Sequence, residues 1–302
     1  MGLMMQLRGV EVVDTFAEAF SMSGTRLVVT AVSERWAIVA ANEFCGNATS
    51  VIGCDVEASI ERILPPEATP DGRPGVTVLA FAFSRDALSQ AVSNRIGQCI
   101  LTCPTTACFN GVAECPKEKR IAVGANLRFF GDGFQTSKKL GDRRMWRMPC
   151  MDGEFVCDDK FGTFTGVAGG NLLLCGETQA AALAAAEAAA DAVCAVPGVI
   201  LPFPGGIVRS GSKVGSIYKK LKASTNDAFC ATLQPLVKSE LPEGANAVYE
   251  LVIDGENFEL VKTAMRAGLH AACAVPGLKQ VTAGNYGGKL GKHHFHLRDL
   301  ID

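Results

Sequence analysis

Two stretches of this 302-residue chain carry the residue types best placed for chemistry. In Ala247-Val-Tyr-Glu-Leu-Val-Ile253, strand alternation puts Tyr249, Leu251 and Ile253 on one face and Val248, Glu250 and Val252 on the other. A carboxylate between two valines is either solvated or, where a partner covers its face, desolvated with a raised pKa. The second state is how a general acid that works near neutral pH is made. The other stretch, PFPGGIVRSGSKVGS from Pro202 to Ser216, holds Gly205, Gly206, Arg209, Ser210, Ser212 and Lys213. Its glycine spacing is that of a phosphate-cradling nucleotide loop, but it reads G-S-K where such a loop needs G-K-S. It is either an anion-handling loop of another kind or a tight turn.

Three further glycine-rich segments let backbone amides approach a ligand or simply make turns: TPDGRPG (Thr69 to Gly75, with Asp71 and Arg73), TGVAGGN (Thr165 to Asn171) and AGNYGGKLG (Ala283 to Gly291, with Asn285). No G-x-S-x-G elbow occurs. Of the four histidines, three crowd at His293, His294 and His296 and one is His270, which gives a Ser-His-Asp or Cys-His system little support. The cluster Cys99, Cys103, Cys108 and Cys115 resembles a metal site only superficially. No C-x2-C pair occurs, and the CILTC run suits cysteine packed as a small hydrophobe, so no metal ligands are assigned.

The elements that must position these residues show an internal echo. CAVPG occurs at Cys194 to Gly198 and again at Cys273 to Gly277, each time closing an amphipathic helix, one capped by Thr178 and the other starting near Asn257. Strand-like runs, Asn171 to Cys175 and Ala247 to Asp254, precede them. The N-terminal half repeats the plan with strands expected at 26–32, 50–54, 75–83 and 99–103 and helices at 34–45 and 85–98. The expected architecture is α+β, two ferredoxin-like (split βαβ) lobes related by internal duplication, spanning 1–150 and 151–302.

Composition narrows the function class. The net charge of −2 arises from 29 basic and 31 acidic residues with no like-charge block, so neither a nucleic-acid surface nor a polybasic membrane anchor is expected. The N-terminus lacks a secretory pattern, and the apolar run from Ala180 to Val196 contains Glu187 and Asp191. Both features point to a cytoplasmic chain with no membrane span, whose 12 cysteines are reduced thiols.

Read in order, VEVVDTFAEAF, TPDGRPGV, RIGQCILT, FFGDGFQ, GVAGGN, PFPGGIVRSGSKVG, ASTNDAFC, LPEGANAVYELVI and TAGNYGGKLG closely resemble the formylmethanofuran:tetrahydromethanopterin formyltransferases from about Val10 to Leu300. The resemblance implies a homotetramer of two-lobed ferredoxin-like subunits with no tightly bound cofactor and an active site at a subunit interface. It implies formyl transfer between the amine of methanofuran and position 5 of tetrahydromethanopterin, the two coenzymes acting as substrates. The family's catalytic glutamate, which follows a tyrosine, falls on Glu250. The substrate-binding set is then Gly205, Gly206, Arg209, Ser210, Ser212, Lys213, Thr225, Asn226, Asn285, Asp71 and Arg73, with the Gly/Ser/Lys loop meeting a coenzyme anion rather than ATP. A bacterial member sits in a formyltransferase/hydrolase complex, so a non-catalytic subunit of such an assembly is the alternative. The chain departs from the pattern in its many cysteines and near-neutral charge, where many members are strongly acidic. Oxidation-prone thiols also argue against a hyperthermophilic source.

Overall fold

A computed structural model of the protein describes residues 5–141 and 143–302. The first four residues of the stretch read as lacking a leader lie outside it. Among the described residues no helix is long and apolar enough to cross a membrane. The chain forms two compact mixed α+β units: Met22–Gly166, and the chain up to Ser21 together with Val167–Asp302. The expectation divided the chain at residue 150; by compactness the N-terminal strands group with the C-terminal unit, where Val10–Val12 pairs in parallel with Leu278–Thr282 and Phe16 to Ala19 pair with His293–His296.

In the unit 22–166 four strands run Glu57–Leu64, Gly75–Ala82, Phe16–Thr30 (its part from Met22) and Ala107–Asn110, each antiparallel to the next, and Gly153–Asp158 adds in parallel beyond Ala107–Asn110, followed by Arg143–Cys150 and Thr136–Leu140. The helices Glu34–Cys45 and Arg85–Arg95 bury Ala37, Ala41, Phe44, Leu88 and Val92 against Leu27, Val29, Val76 and Val78. Arg95 fastens the two helices: its guanidinium donates to the carbonyls of Phe44, Gly46 and Asn47, where the first helix ends, and pairs with Asp55 at 2.6 Å. Two expected strands are corrected. Residues 50–54 form a turn, in which the Ser50 carbonyl accepts from both Gly53 and Cys54. Residues 99–103 continue the second helix through the π-turn Ile96–Ile100, because a short apolar run does not by itself distinguish strand from buried helix. The fourth strand starts at Ala107.

In the other unit the corresponding four strands run Val199–Ile200, Ala247–Gly255, Phe164–Gly176 and Leu278–Thr282, each antiparallel to the next, with Val10–Val12 added in parallel beyond Leu278–Thr282. The second, third, first and fourth strands of each set thus lie in the same sequence across the two sheets. The helices Gln179–Cys194 and Phe258–Ala272 cover one face, burying Ala185, Ala189, Val193, Val261, Met265 and Leu269 against Leu172, Leu174, Leu251, Ile253 and Val281. Thr178 and Asn257 cap them, accepting from the amides of Ala181 (3.1 Å) and Leu260 (3.0 Å); such caps are worth about 1 kcal/mol each. The two CAVPG exits dock reciprocally. The carbonyl of Gly198 accepts from Glu256, ahead of the second helix, and that of Gly277 accepts from Glu177, ahead of the first, both at 2.9 Å.

Both exit glycines have positive φ, +82° and +83°, and a Cβ on Gly277 would stand 2.8 Å from the Ala181 methyl. Gly9 has φ +83° but open space around the missing Cβ. Gly277→Ala is therefore expected to cost about 1–3 kcal/mol in urea unfolding, more than Gly9→Ala, which bears the backbone strain alone. Equal losses in the two variants would show that the close packing at the exit contributes nothing.

Candidate active site

Glu250 stands on the helix-free face of its sheet, as the strand alternation predicts. Its cross-strand partner Leu173 is paired on the other side with Thr282, so Glu250, Leu173 and Thr282 form one row across three strands. The next row on that face holds Val252 and Asn171. The opening glycine loop reaches the same strand edge: Val208 and Glu250 exchange both backbone hydrogen bonds, at 2.7 and 3.1 Å. The Glu250 side chain is half-buried, and among the described residues its carboxyl has no hydrogen-bond or ion-pair partner. Burial among apolar neighbours pushes its pKa up to about 7.

A second carboxylate shows the opposite solution. Glu18 is 2% exposed, and its two oxygens receive the backbone amides of Tyr286 (2.6 Å), Gly288 (2.9 Å), Leu290 (2.6 Å) and Gly291 (2.6 Å). Burial works to raise its pKa, but the four amide donors together outweigh burial and hold the carboxyl below its ordinary range. The loop 283–291 is thereby wrapped around one anion. Gly291 must be glycine, since a Cβ there would lie 2.4 Å from the Ala19 carbonyl. Asn171 clamps the start of the loop through both the N–H (2.6 Å) and the carbonyl (3.1 Å) of Gly284. Asn285 donates to Thr15 Oγ1 and the Phe16 carbonyl and accepts from Gly287, so its amide positions the loop.

This clamp fixes Tyr286, whose half-buried phenol has its pKa raised first by burial and then by the negative charges of Glu250 and Glu18. Tyr286, Glu18 and Asn171 are absent from the residues singled out by sequence. The usable signal was FAEAF, where Glu18 is an acid in an apolar strand, as Glu250 is.

The other sequence-selected residues divide. Gly205 and Gly206, at φ +62° and +79°, turn the chain just before Val208. Arg209, Ser210 and Ser212 are exposed beyond it. Lys213 is held by Asp227 at 2.6 Å, on the short ribbon of Lys213–Val214 with Ala223–Ser224. Since G-S-K runs into a strand rather than the helix N-terminus that a phosphate loop needs, the nucleotide reading loses its structural basis. Asn226 packs beside Gly211, whose φ of +57° favours glycine, and the Thr225 hydroxyl meets Cys230 Sγ at 3.5 Å. Asp71 and Arg73 lie in the unit 22–166, bonded to each other and both to the Thr30 hydroxyl, where they close their turn. The histidines and cysteines point to separate partners: His293 to Ser21, His294 to the Gly291 carbonyl, Cys103 to the Trp36 carbonyl and Cys115 to the Thr163 carbonyl.

Residues 5–150 match the family described as formylmethanofuran-tetrahydromethanopterin formyltransferase, and residues 153–300 match its proximal lobe. The formylmethanofuran--tetrahydromethanopterin formyltransferase of Methylobacillus flagellatus is 56% identical, over 98% of this chain and 100% of its own. The solved formyltransferase from Methanosarcina barkeri is 49% identical with a TM-score of 0.92, covering 98% of this chain and 100% of the other. A chain in the formyltransferase/hydrolase complex of Methylorubrum extorquens, solved with methylofuran, is 52% identical with a TM-score of 0.95 and 99% coverage of both. The chain belongs to the formylmethanofuran-tetrahydromethanopterin formyltransferase family.

Proposed function

We propose that this protein catalyses reversible transfer of a formyl group between formylmethanofuran and position 5 of tetrahydromethanopterin, by direct amine attack with both coenzymes bound. The observation that carries the mechanism is the unpaired Glu250 carboxyl, protonated up to about pH 7 on an open sheet face beside two glycine loops. The ring nitrogen attacks the formyl carbon and a C–N bond forms. The carbonyl electrons move to oxygen, and the resulting tetrahedral oxyanion needs a donor in a site with little competing water. Neutral Glu250 supplies that donor. Collapse restores the carbonyl, breaks the bond to the methanofuran amine, and passes the proton released by the attacking nitrogen to the leaving one. Tyr286, fixed by the Glu18 clamp, stands near enough to feel the charge of Glu250 and serves as a second donor.

The coenzymes are substrates rather than resident groups. Arg209, Ser210, Ser212, Thr225 and Asn226 are offered as coenzyme contacts from the 202–226 segment, with Lys213 exchanging Asp227 for a coenzyme anion. The identical strand order in the two units supports two ferredoxin-like, duplicated lobes, and the reciprocal docking of the CAVPG exits supports the split βαβ repeat within the C-terminal one. A homotetramer with the site at a subunit interface is supported by the apolar side chains exposed after the glycine loop, among them Val214, Ile217, Tyr218 and Leu221, and the cytoplasmic location rests on the absence of a secretory pattern in the sequence. The likeness to a subunit of a formyltransferase/hydrolase complex favours one other reading, a chain that serves such an assembly without turnover of its own. A spectrophotometric transfer assay with both coenzymes separates the two: absence of turnover by the isolated, folded protein removes the catalytic reading.

Glu250→Gln keeps shape and hydrogen bonding but not the acidic proton, so turnover is expected to fall by about 10²–10⁴ with much smaller changes in KM. Because the protonated form is the active one, wild-type activity should be full at acid pH and decline as pH rises through about 7, a limb missing from the variant. A matching profile in both proteins would exclude Glu250 as the acid.

Tyr286→Phe retains the ring and removes only the hydroxyl; a fall in kcat of about tenfold at unchanged KM is expected if the phenol donates to the oxyanion. Unaltered kcat would reduce Tyr286 to a packing residue.

Glu18→Gln should act differently, lowering stability by about 3 kcal/mol in urea unfolding at neutral pH as charge-assisted bonds are lost. The Glu18 pKa is depressed on folding, so its contribution is present above the unfolded pKa and disappears as pH falls. The stability gap between wild type and variant should accordingly narrow below about pH 4. A gap that stays constant into acid would show that the charge does not hold the loop.

A further inference from the structure

Within the unit 22–166 lies a cavity of about 540 Å³ lined by Lys117, Arg120, Lys139, Arg143, Arg144 and Lys160. The two carboxylates in its wall are already engaged. Asp158, 2% exposed, grips Arg143 through two bonds of 2.7 and 2.6 Å and also accepts from the Asn110 amide at 2.8 Å, while Asp159 accepts from Trp146 Nε1 at 2.6 Å. Glu114 and Glu118, close by in sequence, do not line the cavity.

The cavity is built rather than incidental. Arg143 is fixed by buried Asp158 and lies over the Phe109 ring, 5.4 Å from its centroid. Arg120 is fixed by two bonds to the Cys115 carbonyl, at 3.1 and 3.0 Å. The Asn110 side chain ties the wall together by accepting from the amides of Gly162 (2.8 Å) and Val112 (3.2 Å). Lys117, Lys139 and Lys160 are exposed and have no hydrogen-bond or ion-pair partner among the described residues. Two anchored guanidinium groups with three unpaired ammonium groups around them leave an excess of positive charge that nothing in the wall compensates.

We propose that this cavity binds a small multivalent anion, one bearing two or more phosphate or carboxylate groups. Single exposed ion pairs are weak and screened by salt, so an anion with one charge gains little here, whereas several charges on one small ligand engage separated cations together. The guanidinium groups present planar donors to oxygen and the lysines act as movable point charges. This inference is independent of the formyl-transfer reading, since it concerns other residues and is tested by binding alone.

The test is calorimetric titration of the full-length protein with pyrophosphate and, separately, with citrate at low ionic strength. Saturable binding of at least one of them is expected; tighter pyrophosphate assigns phosphate chemistry, and tighter citrate assigns carboxylate chemistry. The Lys117→Ala/Lys139→Ala/Lys160→Ala variant should weaken binding by about tenfold or more. A control removing three exposed lysines of the other unit, Lys219→Ala/Lys220→Ala/Lys222→Ala, should leave it unchanged. Because the three cavity lysines are exposed and unpaired, their variant is expected to melt with the wild type. Should it not, the three single Lys→Gln proteins carry the same comparison. No saturable heat with either anion, or equal losses in the two triple variants, overturns the proposal.

Discussion

A single buried anion organises the candidate active site. Glu18 would be costly inside the protein if left alone, since a desolvated carboxylate is stable only when its lone pairs are filled. Four backbone amides of one loop fill them, and in doing so they dictate the path of that loop. Glycine at 291, where no side chain fits, Asn285 and Asn171 at the loop entrance, and the backbone position of Tyr286 follow from that requirement.

Glu18 and Glu250 are the same chemical group in similar apolar strands, with opposite charge states set by their partners. Amides surround the first and hold it ionised; the second has none and is pushed toward neutrality. The contrast leaves one carboxylate held ionised and another pushed toward neutrality in the same unit. Environment, rather than residue type, divides the labour of positioning and chemistry.

Much of this was legible in the sequence where the signal was local. Thr178 and Asn257 cap their helices as their side chains require, and period-two alternation placed Glu250 opposite the helices. Where the determining partner lies far along the chain, the sequence was silent. Glu18 looks like any strand acid until residues 286–291 arrive. Lys213, Asp71 and Arg73 read as substrate-binding residues, and the sequence does not show that Lys213 bonds to Asp227 and that Asp71 and Arg73 bond to each other. The misplaced strand at 99–103 has a different origin, since Cys-Ile-Leu-Thr-Cys is equally apolar in a buried helical turn. Strand pairing between residues 10–12 and 278–282 likewise leaves no mark in either segment.

The bond from the Gly291 amide to Glu18 links positions 273 residues apart. During vectorial synthesis the first 21 residues therefore emerge long before the segment that completes their sheet, while residues 22–166 can already close on themselves. The candidate site thus assembles only once the C-terminal segment has left the ribosome, and no nascent fragment ending before residue 286 contains it. Until then the Glu18 strand is an unpaired edge of the kind that holdase chaperones shield from aggregation.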